Sequence, residues 1–210
     1  MIAKPIRVWH SPKSHEAPPK IAPFIGIGTG RCGTLSLCNI VASCYNTTVL
    51  HEGYMCHWDK TFKPMAIAMT NAMKSFGTYG VSAGNVSFHL IRWVEDLMVR
   101  IPNLKVICLH RDKEATVSSF TKCFVDGSPF ATTGNKGIVN CFPDIDTGSF
   151  DSDVKSWWNW CEKKMENIPN SYHIEPNDLN SDSEVKRLYD YLGIIPSDRI
   201  IPEQRRYNAL

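Results

Sequence analysis

Hydrophobic and polar positions follow two alternating rhythms along this chain. Phe24-Ile25-Gly26-Ile27 is a short apolar run closed by glycines, and Leu37, Ile40, Val41 and Cys44 follow at helical spacing, which predicts strand, tight loop, helix. Thr47–Leu50 reads as a second strand. Met65, Ala68, Met69, Ala72, Met73 and Phe76 form one face of a helix beginning near Pro64, and Tyr79–Val81 fits a short third strand. Leu90, Ile91, Val94, Leu97, Met98 and Ile101 make another helical stripe, stopped by Pro102-Asn103. Leu104–Leu109 is the near-continuous apolar run of a parallel strand covered on both faces, and a helix through Val117, Phe120 and Phe124 comes after it. Near the C-terminal end lie a helix bearing Val154, Trp157, Trp158, Cys161, Met165 and Ile168, a brief strand at Tyr172–Ile174, and a helix with Val185, Leu188, Tyr189 and Leu192. Strands alternating with helices predict an α/β fold, a three-layer parallel sheet flanked by helices on both faces.

Two stretches stand outside this pattern. Residues 1–22, with Pro5, Pro12, Pro18 and Pro19, read as an irregular N-terminal arm ahead of a single domain over 23–210. Residues 126–150 are rich in Gly, Ser, Thr, Asn and Pro, and a loop of that length predicts an active-site lid.

Composition narrows the functions open to such a fold. The 210 residues are 43% hydrophobic, enough for one well-buried core. Lys and Arg number 23 against 21 Asp and Glu, a net charge of +2, so no broad field exists to attract nucleic acid. An anionic ligand must therefore be met by a few placed basic residues. No stretch has the apolar length of a membrane span or signal peptide, and the expectation is a soluble, cytoplasmic protein. The eight cysteines form no C-x-x-C pair and several fall at apolar periodic positions. They read as buried free thiols rather than a disulfide scaffold or zinc site, and no metal is expected.

The segment Gly26-Ile27-Gly28-Thr29-Gly30-Arg31-Cys32-Gly33-Thr34-Leu35-Ser36 lies where a strand hands over to a helix. Glycines there let backbone approach a ligand, and the first helical N–H groups point at it, so phosphate or sulfate is the natural guest. A tight turn alone accounts for one or two glycines. It does not account for Arg31 between Gly30 and Gly33, with hydroxyls at Thr29, Thr34 and Ser36. A Walker A loop places lysine directly after its last glycine; Gly28 to Gly33 has the right span, but Thr34 holds the lysine position and the cation sits at Arg31. This argues against ordinary ATP or GTP hydrolysis.

Residues 28–37 resemble the 5′-phosphosulfate loop of the P-loop sulfotransferases, which use 3′-phosphoadenosine 5′-phosphosulfate (PAPS). The segment Val106–Phe120, with Arg111 at the end of a strand and Ser119 eight residues on, is similar to that family's 3′-phosphate motif. A guanidinium and a hydroxyl so placed suit one phosphate monoester. The resemblance implies a P-loop-type fold and sulfuryl transfer from PAPS, without metal, to a hydroxyl- or amine-bearing carbohydrate, peptide or small molecule. It implies that Gly28–Ser36, Arg111 and Ser119 hold the donor and that Arg31 serves as the leaving-group cation. Two departures stand out. Cys32 replaces the serine common in the first motif, which removes a hydroxyl donor. The glycine-rich C-terminal segment of the cytosolic branch is missing, and Arg205 and Arg206 read as a solvated tail.

The reaction also needs a base. Leu50-His51-Glu52-Gly53 ends the second strand, whose C-terminal end opens onto the same edge as the glycine loop. Glu52 matches the position of the glutamate base in tyrosine- and polysaccharide-sulfating relatives. His51 titrates near neutrality, and His89 lies where cytosolic relatives place a histidine base. The order of preference is Glu52, His51, His89. Ser87 is either a helix cap or a ligand contact. Trp157, Trp158 and the Met65, Met69, Met73 stripe read as core, whereas Trp160 lies off the stripe. Residues 54–64 and the lid are the expected acceptor-pocket walls, with a second subunit as an alternative source. Two other functions remain open: a nucleotide or nucleoside kinase with an unusual loop, and a non-catalytic nucleotide-binding module.

Overall fold

The computed structural model describes residues 22–52, 67–73, 75, 82–125, 145 and 147–203. The arm up to residue 21, segment 54–64, most of the lid stretch, Met65, Phe76, residues 79–81 and Arg205–Arg206 lie outside the described residues. In chain order the elements are β1 (Phe24–Gly28), α1 (Thr34–Ala42), β2 (Thr47–His51), α2 (67–73), β3 (Ser82–Val86), a 3-10 turn (Phe88–Trp93), α3 (Val94–Arg100), β4 (Lys105–Leu109), α4 (Lys113–Val125), α5 (Phe150–Glu166), β5 (Tyr172–Ile174) and α6 (Asp182–Leu192).

The strands form one five-stranded sheet in the order β2-β3-β1-β4-β5, with every pairing parallel. Side-chain alternation divides the core between its faces. Ile25, Ile27, Val106 and Cys108 point to the layer holding α2, α3, α4 and α5, where Met69, Leu97, Phe120 and Trp157 are buried. Phe24, Val49, Val86, Ile107 and Leu109 point to the layer holding α1 and α6, where Leu37, Ile40, Leu188 and Tyr189 are buried. Both faces are covered, which is why β1 and β4 read as continuous apolar runs.

The third strand carries the weakest sequence signal of the described strands. It runs over Ser82–Val86, beyond the expected 79–81, through Ala83-Gly84-Asn85, residues that favour strands poorly. Tertiary packing overrides propensity here, because the Phe24 ring occupies the space above Gly84: a Cβ at that position would meet ring atoms at 2.0–2.4 Å. Two smaller corrections concern helices. Phe150, assigned to the lid, is the first residue of α5, and Ala68, assigned to the buried face of α2, is exposed.

The chain winds from β1 toward β2 on one side of the sheet and from β4 toward β5 on the other. The crevice at the C-terminal ends of β1 and β4 is therefore the topological switch point, the place where open parallel sheets bind ligands.

Candidate active site

Residues 29–33 carry the chain from β1 into α1 through three left-handed positions, Gly30 (φ 80°), Arg31 (φ 55°) and Gly33 (φ 89°). Their carbonyls are tied to the protein: Thr29 O accepts from Trp157 Nε1 at 2.8 Å, Gly30 O from Thr29 Oγ1 at 3.0 Å, and Gly33 O from the Leu37 N–H at 3.0 Å. The Arg31 carbonyl accepts from the Arg111 guanidinium. With its carbonyls so engaged, the loop offers N–H groups at the start of α1, the arrangement that holds an oxyanion.

Gly28 must be glycine, since a Cβ there would sit 2.4 Å from Cys32 Sγ and 2.7 Å from the Leu109 carbonyl. Cys32 is fully buried among Leu37, Ile107 and Leu109, and burial pushes its thiol up to about 11. It behaves as a small neutral hydrophobe. The Cys32 side chain packs inward, against the apolar layer that holds α1. In the first turn of α1, Thr34 and Ser36 are nearly buried and Leu35 is half-buried.

The two motifs converge. Arg31 Nε donates to Ser119 Oγ at 3.1 Å while Arg111 reaches the Arg31 carbonyl, so residues from the loop after β1, the turn after β4 and the second turn of α4 meet at one point. Arg111 leaves β4 and Ser119 follows in the next helix, as their eight-residue spacing requires.

Glu52 follows the end of β2, its N–H donating to Val86 O at 3.0 Å. Burial pushes its carboxyl above the usual carboxylate range, and the Arg31 charge pulls it partly back, which places the two within electrostatic reach. His51 Nε2 lies 3.2 Å from Thr34 Oγ1, and burial lowers its pKa to about 4, leaving a neutral imidazole at pH 7. Among the described residues, the non-glycine positions with positive φ are three asparagines, Arg31 (55°) and Glu52 (50°). Asparagine tolerates this region, but arginine and glutamate do so only under constraint, and backbone strain of this kind collects at functional sites.

His89 and Ser87 follow β3, and the Ser87 N–H donates to Gly26 O at 2.8 Å. His89 is buried in the 3-10 turn with its ring centroid 3.9 Å from that of Phe88. Ser87 is fully buried at the turn's N-cap position, yet it makes no capping bond and its hydroxyl has no hydrogen-bond partner among the described residues.

Sequence reasoning missed the tryptophans. Trp157 is core, as expected, but its indole N–H holds the glycine loop. Trp158 is only half-buried and donates to the Arg111 carbonyl at 2.7 Å. The available signal was chemical: a buried indole N–H needs an acceptor, and two consecutive tryptophans on one helix must find two. Trp160 is 38% exposed and stacks on Trp157.

The sulfotransferase-domain family matches residues 24–190, from the first residue of β1 to within α6. The chain belongs to that family. Both donor motifs and Glu52 fall inside the matched span. The crystal structure of sulfotransferase STF9 from Mycobacterium avium shares the fold, with a TM-score of 0.50 and 12% sequence identity over 89% of this chain. The alignment spans 66% of that protein, just under two thirds of its length. No curated protein matches the chain in sequence. Among the described residues no helix of this sulfotransferase domain is long and apolar enough to cross a membrane.

Proposed function

We propose that this sulfotransferase-domain protein moves a sulfuryl group from PAPS to a hydroxyl or amine of a carbohydrate, peptide or small molecule. The observation that carries the reading is the meeting of Arg31, Arg111 and Ser119 at the sheet's switch point. Two guanidiniums, a hydroxyl and a loop with engaged carbonyls suit a donor bearing phosphate at both ends of its ribose. They also explain how a chain with a net charge of only +2 holds a polyanion.

PAPS supplies a sulfuryl group on a phosphate leaving group: the acceptor's bond to sulfur forms as the sulfur–oxygen bond to phosphate breaks, and the electron pair stays on the phosphate. The chain's residues divide the remaining work. Backbone N–H groups of residues 29–34 and the Arg31 guanidinium meet the charge that gathers on the 5′-phosphate. Arg111 and Ser119 hold the 3′-phosphate. Glu52 takes the acceptor's proton; burial raises its pKa, which makes it a stronger base than a solvated carboxylate. His51, with a pKa near 4, is the weaker candidate and serves to fix Thr34.

No metal enters this scheme, since the placed cations are arginines. The buried free thiols Cys32, Cys38, Cys44, Cys108 and Cys161 support a reducing compartment such as the cytoplasm. Titration calorimetry with adenosine 3′,5′-bisphosphate tests the donor assignment. Tight, magnesium-independent binding is expected, and no binding, or equal binding of ADP, overturns it.

A further inference from the structure

Helix α5 touches both donor motifs through adjacent residues. Trp157 donates to Thr29 O, on the glycine loop 128 positions earlier; Trp158 donates to Arg111 O, on the turn 47 positions earlier. One helical turn beyond Trp158, Glu162 accepts from His110 Nδ1 at 2.6 Å. Positions four apart share a helix face, so Trp158 and Glu162 grip consecutive residues of the turn after β4.

The grip extends on both sides. His110 Nε2 lies 2.7 Å from His173 Nδ1, and His173 Nε2 lies 2.8 Å from Ser171 Oγ, a hydrogen-bonded chain that fixes the His110 ring against β5. The Lys113 ammonium sits 4.6 Å from the Trp158 ring, anchoring the first residue of α4 to the same indole. The helix start is itself held, because Asp153 accepts from both the N–H and the hydroxyl of Thr147 at 2.7 Å.

We infer that α5 is a positioning element for the donor and that its two tryptophans act on different ends of it. Trp158, with Glu162 behind it, fixes the backbone from which Arg111 reaches and so sets discrimination for the 3′-phosphate. Trp157 fixes the glycine loop and sets affinity for the 5′ end. Neither side chain is catalytic. The inference rests on the donor assignment made above and adds which residues outside the motifs give it specificity.

Calorimetric titration of the full chain with adenosine 3′,5′-bisphosphate and with adenosine 5′-monophosphate separates the roles, since the second probe lacks the 3′-phosphate. Trp158→Phe keeps the ring but removes the N–H. It should weaken bisphosphate binding about three- to tenfold, the worth of a neutral hydrogen bond, and leave monophosphate binding unchanged. Trp157→Phe should weaken both probes alike, with their affinity ratio preserved. A purely structural role would move both probes in both variants. If Trp158→Phe melts early, Glu162→Gln provides the same readout, a fall in the bisphosphate-to-monophosphate ratio. An unchanged ratio in both 158 and 162 variants, with a wild-type protein that prefers the bisphosphate, overturns this inference alone. A wild-type protein without that preference overturns the donor assignment and this inference with it.

Discussion

Arg31 Nε donates to Ser119 Oγ across 3.1 Å, joining two segments 88 positions apart at the mouth of the crevice between β1 and β4. The bond fixes a guanidinium whose own backbone is left-handed, while Arg111 secures its carbonyl. Preorganisation of this kind matters most where charge develops during a reaction. Arg31→Ala should lower kcat by about 10²–10³. Ser119→Ala should mainly weaken the donor, raising its KM about tenfold with kcat little changed. Steady-state kinetics with varied PAPS distinguish the two, and a Ser119→Ala effect confined to kcat contradicts the assignment.

Glu52 sits above the usual carboxylate range through burial and is drawn back by Arg31. The rate should therefore climb with pH along an acid limb lying above 4.5, as the carboxyl ionises. Removing the cation in Arg31→Ala should move the limb of the residual activity to higher pH. Glu52→Gln should abolish the limb and cost about 10²–10⁴ in rate while calorimetric affinity for adenosine 3′,5′-bisphosphate holds. Retention of the limb in Glu52→Gln, and its loss in His51→Gln, would make His51 the base.

His51 has a stability signature of its own. In the unfolded chain it titrates near 6.5, and burial lowers it to about 4 in the fold. Between these values only the unfolded chain takes up the proton, so stability is complete above about 6.5 and declines as pH falls toward 4. By pH 4.5 the loss amounts to about 2–3 kcal/mol. Chemical denaturation at pH 7 and pH 4.5 should show a smaller difference for His51→Gln than for the wild type.

Gly84 lies under the Phe24 ring with no room for a methyl group. Gly84→Ala should destabilise the fold by about 1–3 kcal/mol. The same substitution made on Phe24→Leu should cost less, because the two positions are in contact and their effects do not add. Urea unfolding of the four proteins in this cycle measures the coupling, and strict additivity would show that the ring is not what demands glycine.

These relationships differ in how far they could be read from residue order. The strand, loop and helix around Gly28–Ser36 were legible because glycine, a placed cation and helical periodicity are local signals spanning a dozen residues. Arg111 and Ser119 stood out through their resemblance to the 3′-phosphate motif of the sulfotransferases, and a strand end followed by two helical turns gives their spacing a fixed geometry. The strand over Ser82–Val86 was not legible because Ala83-Gly84-Asn85 carries no strand signal; the Phe24 ring from a neighbouring strand supplies the bulk those residues lack. The inward direction of the Cys32 side chain was not legible, because it depends on the left-handed turn before it, which puts Sγ against Gly28.

The sequence by itself determined the alternation of strands and helices and the glycine-rich turn after the first strand that carries Arg31. All of these follow from propensity, periodicity and spacing along the chain. Only the tertiary structure decided that Arg31, Ser119 and Arg111 meet, that Glu52 shares the electrostatic field of Arg31, and that Trp157 and Trp158 hold the loop after β1 and the turn after β4. Such contacts join segments dozens of residues apart. They exist because parallel strands, covered on both faces, bring the C-terminal ends of β1 and β4 side by side beneath one helix.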